Sequence, residues 1–338
     1  ENTADSLAGA IFSTVDVSIE DSSFNNNTAG IDSGAIKLTW DTATIKSSNF
    51  TGNKANTYQG GAILSQGADL TIEDCKFIEN SAATDGGAVY SSQPNNSITV
   101  TGSEFINNTA AGIGGAIYTS FNTVDISNSK FENNSAATAG ALYVLNYAGY
   151  GGAATIKESE FINNSATGNG GAIFFFDENG NALTISDDTN FTDNEAGNTG
   201  GALLVAVGET NIANATFTNN DATVNGDAVY IRANGNATIK DSKFTNNGGA
   251  DDYSIYNLGE LSLDNNEIDR IIYSSGSIGS QTIARILDNS TWDTLADTYV
   301  LYATLEDDEG HKIYDENLKF VVNDGEAIAF TDYNVDTG

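Results

Sequence analysis

Short runs of alternating hydrophobic and polar residues return along this chain at a nearly constant spacing, and each copy carries the same two signatures. One is a Phe followed three residues later by Asn, as in Phe105-Ile106-Asn107-Asn108; the other is Gly114-Gly115-Ala116-Ile117, a glycine pair, a small residue and an aliphatic. The Phe recurs as Phe24, Phe50, Phe77, Phe105, Phe131, Phe161, Phe191, Phe217 and Phe244, with neighbours 26 to 30 residues apart. No apolar stripe of helical period occurs before about residue 280, so the repeat predicts a solenoid built from strands.

Aligned on the Phe, each column reads as an environment. Five residues before it stand Ile19, Ile45, Ile72, Val100, Ile126, Ile156, Ile212 and Ile239; the copy before Phe191 has one extra residue and offers Ile185. Two residues before it lies a small residue, Ser in most copies and Cys75 in one, which marks Cys75 as a packing residue. Three residues after it Asn is invariant: Asn27, Asn53, Asn80, Asn108, Asn134, Asn164, Asn194, Asn220 and Asn247. Parallel coils stack about 4.8 Å apart, so identical amides can hydrogen-bond up the stack, and Asn also tolerates the left-handed backbone of a bend. In the other half of the unit, the column Ile11, Ile36, Ile63, Val89, Ile117, Leu142, Ile173, Leu203 and Val229 has no polar exception and is expected to face inward. Its neighbour runs Phe12, Lys37, Leu64, Tyr90, Tyr118, Tyr143, Phe174, Leu204, Tyr230 and Tyr256; because it admits Lys37, it is expected to face outward.

One coil is thus a Gly-led strand, a variable loop, a second strand ending at the Phe, and an Asn corner. About ten coils predict an all-β, parallel β-helix rod about 45 Å long over residues 1–280. Two adjacent coils are enlarged, at 145–152 (LNYAGYGG) and 175–181 (FFDENGN). Residues 251–268 read as a degenerate last coil with Ile268 in the Phe position. Beyond about Ile283 the pattern changes to hairpin-like alternation around the turn Asp307-Asp308-Glu309-Gly310, giving a second, small β module over 281–338.

Charge narrows the partners. Thirteen basic against 46 acidic residues leave a net charge of −33, which repels nucleic acid and anionic membrane surfaces, so neither is expected as a partner. A single Cys excludes an internal disulfide framework, and no stretch reaches the roughly 20 apolar residues of a membrane-spanning helix. The pattern starts and stops in mid-repeat, as expected of a monomeric fragment of a larger protein whose open first coil is capped upstream of Glu1.

The pairing of Gly-Gly-Ala-aliphatic with Phe-x-x-Asn resembles the repeats of chlamydial polymorphic outer-membrane proteins and, more closely, those of adhesin-like surface proteins of methanogenic archaea. The second resemblance implies a right-handed β-helix followed by an immunoglobulin-like module, which the segment YVLYATLEDDEGHKI from Tyr299 would begin. It also implies an extracellular, cell-surface location and adhesion to a glycan or protein of another cell.

Enzymes also use this fold class, and catalysis would need particular side chains. A glycosidase needs two carboxylates facing one groove. Asp187-Asp188, Asp251-Asp252 and Asp177-Glu178 are adjacent in predicted loops, where they point apart; His311 lies beyond the coils, and Arg232, Arg270 and Arg285 form no cluster. A non-enzymatic protein is expected. Calcium is the cation that oxygen-rich loops would take, with Asp187, Asp188, Asp193, Asp307 and Asp308 as candidate ligands; solvated turns are the plainer reading. The strongest candidate for binding is the outward aromatic column, Tyr90, Tyr118, Tyr143, Phe174, Tyr230 and Tyr256, with Tyr147, Tyr150, Phe175 and Phe176 from the enlarged coils nearby. A structural stalk without a ligand is the competing expectation, and a polysaccharide lyase or glycosidase the third.

Overall fold

A computed structural model describes residues 1–248 and 253–275 with their side chains, save those of Asn95 and Ile271, and the backbone of strand segments from 277 to 330. The chain winds as a right-handed parallel β-helix of about ten turns, and no helix occurs among the described residues. Three parallel sheets line its sides. The broadest, of 19 strands, holds the Gly-led strands and their successors; the Phe strands form one of ten, and two-residue strands such as Ser81–Ala82 form one of nine.

Each corner has its own left-handed residue. Asp74, Asn128 and Glu158 stand at the first, Glu79, Asn107, Asn133 and Asn163 at the second, and Gly60, Gly86, Gly114 and Gly170 at the third. Two expectations are corrected here. The Ile and Phe columns lie on different sheets, because the chain bends between them at the Asp74-type position. The left-handed residue is the one before the invariant Asn, leaving that Asn free to point inward. Asn107 and Asn133 are exposed, whereas Asn108 and Asn134 are fully buried.

Inside, identical residues stack on themselves. The Phe rings lie face to face with centroids 4.6 to 5.0 Å apart. Beside them Asn108 Nδ2 donates to Asn134 Oδ1 (3.0 Å) and to the Phe77 carbonyl (2.9 Å), while the Asn108 backbone N–H also reaches Asn134 Oδ1 (3.0 Å). The same bonds repeat from Asn53 to Asn247. The small-residue column is a second ladder: the Cys75 N–H donates to Ser103 Oγ (3.0 Å), and the Ser103 N–H to Ser129 Oγ (3.2 Å). Cys75 is buried among them as expected, and burial pushes its thiol pKa up. The second glycine of the pair is required by contact where it occurs: a Cβ on Gly61, Gly87 or Gly115 would collide with the carbonyl oxygen of the equivalent glycine one coil on.

Ile268 takes the Phe position beside Phe244 and is fully buried. Farther on, Arg285–Asp288 pairs antiparallel with Ala303–Glu306, Thr291–Asp293 with Thr298–Val300, and Asn317–Val322 with Gly325–Phe330. Ile313–Tyr314 instead runs parallel beside Ile272–Tyr273. The packing that would mark an immunoglobulin-like module, the pairs Asp251-Asp252 and Asp307-Asp308, and His311 lie outside the described residues.

A candidate aromatic groove on one face of the rod

The column after the inward aliphatics does leave the main core. Phe174, Leu204, Ala139 and Ala206 form a separate buried cluster against which Tyr143, Phe176 and Tyr230 pack. The expected exposure is corrected, however: Tyr118 is only 8% exposed and Phe174 7%. The third corner causes this. Its residues fold back over the strand, so that Gly114 lies against Ile117 and Tyr118, and Ala139 against Phe174. Lys37 in this column is likewise enclosed, paired to Asp32 of the same corner at 3.1 Å.

Under that roof the rings stack. Tyr90 and Tyr118 have centroids 4.6 Å apart, Tyr118 and Tyr143 5.5 Å, and Tyr143 and Phe174 4.9 Å. The Arg232 guanidinium lies 5.7 Å from the Phe174 centroid. Leu204 interrupts the column, and a second stack of Tyr230, Tyr256 and Tyr273 follows, so Tyr230 and Tyr256 are not brought to the first stack. Burial raises the Tyr118 phenol pKa well above its ordinary value and pushes that of Tyr143 up to about 12. Both are therefore neutral hydroxyls at physiological pH.

Where this stack meets the loops, a groove of about 320 Å³ opens between Tyr90, Tyr118, Phe121 and Tyr147, with Ser92, Ser120 and Pro94 on its wall. The local chain builds it by a bulge: Ser92 pairs with Ser120 and Asn96 with Asn122, so three residues of one coil face the single Phe121 of the next. Gln93 (φ 133°) and Phe121 (φ 65°) both hold left-handed backbones that non-glycine residues adopt at a cost. The Phe121 ring centroid is 6.0 Å from those of Tyr147 and Tyr150, and Tyr147 meets Phe176 edge-on at 5.4 Å. Tyr147 and Tyr150 are about half exposed.

The two enlarged coils brace each other to hold these rings. Buried Asn146 donates through Nδ2 to Asp177 Oδ2 (3.0 Å), and the Gly149 N–H to Asn179 Oδ1 (2.6 Å). Asp177 also accepts the N–H groups of Asn179 and Asn181 at 2.7 and 3.1 Å. Phe175, expected near the stripe, points into the main core and is fully buried.

The groove thus collects Tyr90, Tyr118 and Tyr147 of the expected residues, with Tyr143, Tyr150, Phe174 and Phe176 behind or beside it. Sequence reasoning missed Phe121, Ser92, Ser120 and Gln93. Their signal was the interruption of strand alternation around Pro94, the sole proline. No lining residue is a carboxylate, and the groove offers ring faces and hydroxyls.

Asp187 and Asp188 occupy a different place. They absorb the extra residue of their coil at the first corner, with φ of 53° and 59°. With Glu158 and Glu160 they line a wider depression of about 440 Å³. Among the described residues no group of three or more His, Cys, Asp or Glu side chains is placed to hold a metal ion. Asp193 is a second-corner residue with φ 55°.

A family model described as right handed beta helix region matches residues 3–150, and one for the Chlamydia polymorphic membrane protein repeat matches residues 158–175. No curated protein and no solved structure matches the chain. The chain is therefore similar to right-handed β-helix proteins over its first half and to the chlamydial repeat over one short stretch.

Proposed function

We propose that this chain is an adhesin-like part of a surface protein that recognises a glycan on another cell without transforming it. The observation that carries the reading is the groove, where half-exposed aromatic rings stand beside neutral hydroxyls. The apolar C–H face of a sugar ring stacks on Phe121 and Tyr147, and its hydroxyls find Ser92 and Tyr90 at the wall. A site of this kind binds weakly on its own, and a rigid rod carried in many copies on a surface would add avidity. The resemblance to chlamydial and archaeal surface repeats supports an extracellular location.

The test is a glycan array probed with the parent protein and a Tyr147→Ala/Tyr150→Ala variant, both side chains lying in an exposed loop. The reading expects binding in the parent and at least a tenfold loss in the variant. Binding that survives the variant overturns the groove as the site. Release of oligosaccharides from a polymer would replace recognition by hydrolysis or lyase chemistry. A second reading, a stalk without a ligand, is favoured by the burial of Tyr118 and Phe174 as a structural layer; an array with no signal would overturn the glycan and leave the stalk or a protein receptor.

A further inference from the structure

Four residues after the inward aliphatic, the backbone kinks in four consecutive coils, whereas the equivalent Asn146, Asp177 and Val207 farther along continue their strands. The paired register Ile36, Ile63, Val89 and Ile117 places Trp40, Gly67, Gln93 and Phe121 at equivalent kinks of four consecutive coils. All four have left-handed backbones, with φ of 67°, 92°, 133° and 65°. A Trp in that conformation is uncommon, and this one is 64% exposed. Its indole lies over the backbone of Gly67: a Cβ there would come within 3.0 Å of Trp40 Cε3 and 3.4 Å of Cζ3. The ring therefore has a floor on one face, and its exposure leaves surface for a ligand.

Trp40 and Phe121 are three coils apart, which is about 14 Å along the rod at the usual strand spacing. Between them the equivalent positions are Gly67 and Gln93, so no aromatic ring stands between the two platforms. Asp16, Asp41 and Asp69 flank the Trp40 end and are exposed, in a chain of net charge −33. An anionic polymer is repelled there.

Resting on the glycan reading above, we infer that the ligand is an uncharged linear polysaccharide lying along the rod axis, with Trp40 as a second stacking platform for a unit several residues from the one at Phe121 and Tyr147. A ligand that reaches both platforms gains from both; a disaccharide reaches one.

The experiment measures affinities of cello-, laminari- and chito-oligosaccharides of two and six residues by calorimetry. It is supported by quenching of Trp40 emission in a Trp292→Phe background, since the chain has two Trp residues. For the class that binds, the hexamer is expected to bind about tenfold tighter than the dimer and to quench Trp40, the dimer binding without quenching. Trp40→Ala removes the hexamer's advantage and leaves dimer affinity unchanged; Trp40→Phe restores much of it; Tyr147→Ala weakens both lengths. A hexamer advantage that is absent, or that survives Trp40→Ala while Tyr147→Ala still weakens the dimer, overturns the second platform and spares the groove. Insensitivity of both lengths to Tyr147→Ala overturns the groove itself, and no binding by any class overturns both.

Discussion

The invariant Asn shows how much one side chain can be asked to do in a stacked fold. Asn134 Oδ1 accepts from both the backbone N–H and the Nδ2 of Asn108, and its own Nδ2 donates to the Phe105 carbonyl and to Asn164 Oδ1. Removing it strands several fully buried polar groups, each costing about 1–3 kcal/mol. Asn134→Ala is therefore expected to destabilise the rod by about 3 kcal/mol or more in denaturant unfolding. The exposed neighbour Asn133, whose φ is 56°, makes a control: Asn133→Gly should stay within about 1 kcal/mol of the parent, because glycine takes that backbone without strain. The ladder was legible from the sequence because a polar residue repeated at every coil in a strand-spaced column needs a partner that repeats with it, and the next Asn up the stack is that partner. Which of the two adjacent positions carries the left-handed turn was not legible. Asn is tolerated in that backbone at either position, and the choice depends on which side chain has a partner inside.

The strands and their columns were readable from alternation and spacing: inward Ile and Phe, a buried Cys75 in a serine column, and Ile268 closing the Phe stack all follow from counting. Exposure of the aromatic column was not readable. A strand alternates in and out of its own coil, but the third corner folds back and lays a second layer over the outer face. The groove escaped for a related reason, since it arises where a bulge breaks the alternation that tells inward from outward. The roofed stack has a consequence for pH. Burial raises the Tyr118 and Tyr143 pKa values above the ordinary value of 10.0, that of Tyr143 to about 12, so the folded stack favours neutral phenols. Their contribution is complete below about pH 10 and is lost as pH rises through the folded-state values. Circular dichroism followed from pH 9 to 12.5, with tyrosinate absorbance in parallel, should show unfolding that begins above about pH 10. A Tyr118→Phe/Tyr143→Phe variant should unfold at higher pH, and an unchanged midpoint would mean that other groups govern the transition.

At the scale of the molecule, each coil touches only the coils before and after it, so stability is close to a sum of coil and interface terms along one dimension. The net charge of −33 opposes this packing, although pairs such as Lys76–Glu104 and Lys243–Glu267 set opposite charges on adjacent coils. A substitution should therefore act according to how many coils it meets. Phe131 is fully buried with rings on both sides, Phe105 at 4.9 Å and Phe161 at 4.8 Å. Phe24 is only partly buried and stacks on Phe50 alone, at 4.9 Å. Truncating a buried Phe to Ala costs about 3–5 kcal/mol, so Phe131→Ala should fall in that range and Phe24→Ala at less than half of it. The kinds of effect should differ as well as the sizes. A weak terminal coil frays and leaves the remaining coils protected, whereas a weak central coil uncouples the two halves of the rod. Hydrogen exchange followed coil by coil distinguishes these cases: Phe24→Ala should speed exchange only in the first coils, and Phe131→Ala should lower protection on both sides of residue 131 and broaden the unfolding transition. If the two variants lost equal stability and exchanged alike, the rod would be unfolding as one cooperative block, and nearest-neighbour coupling would not describe it.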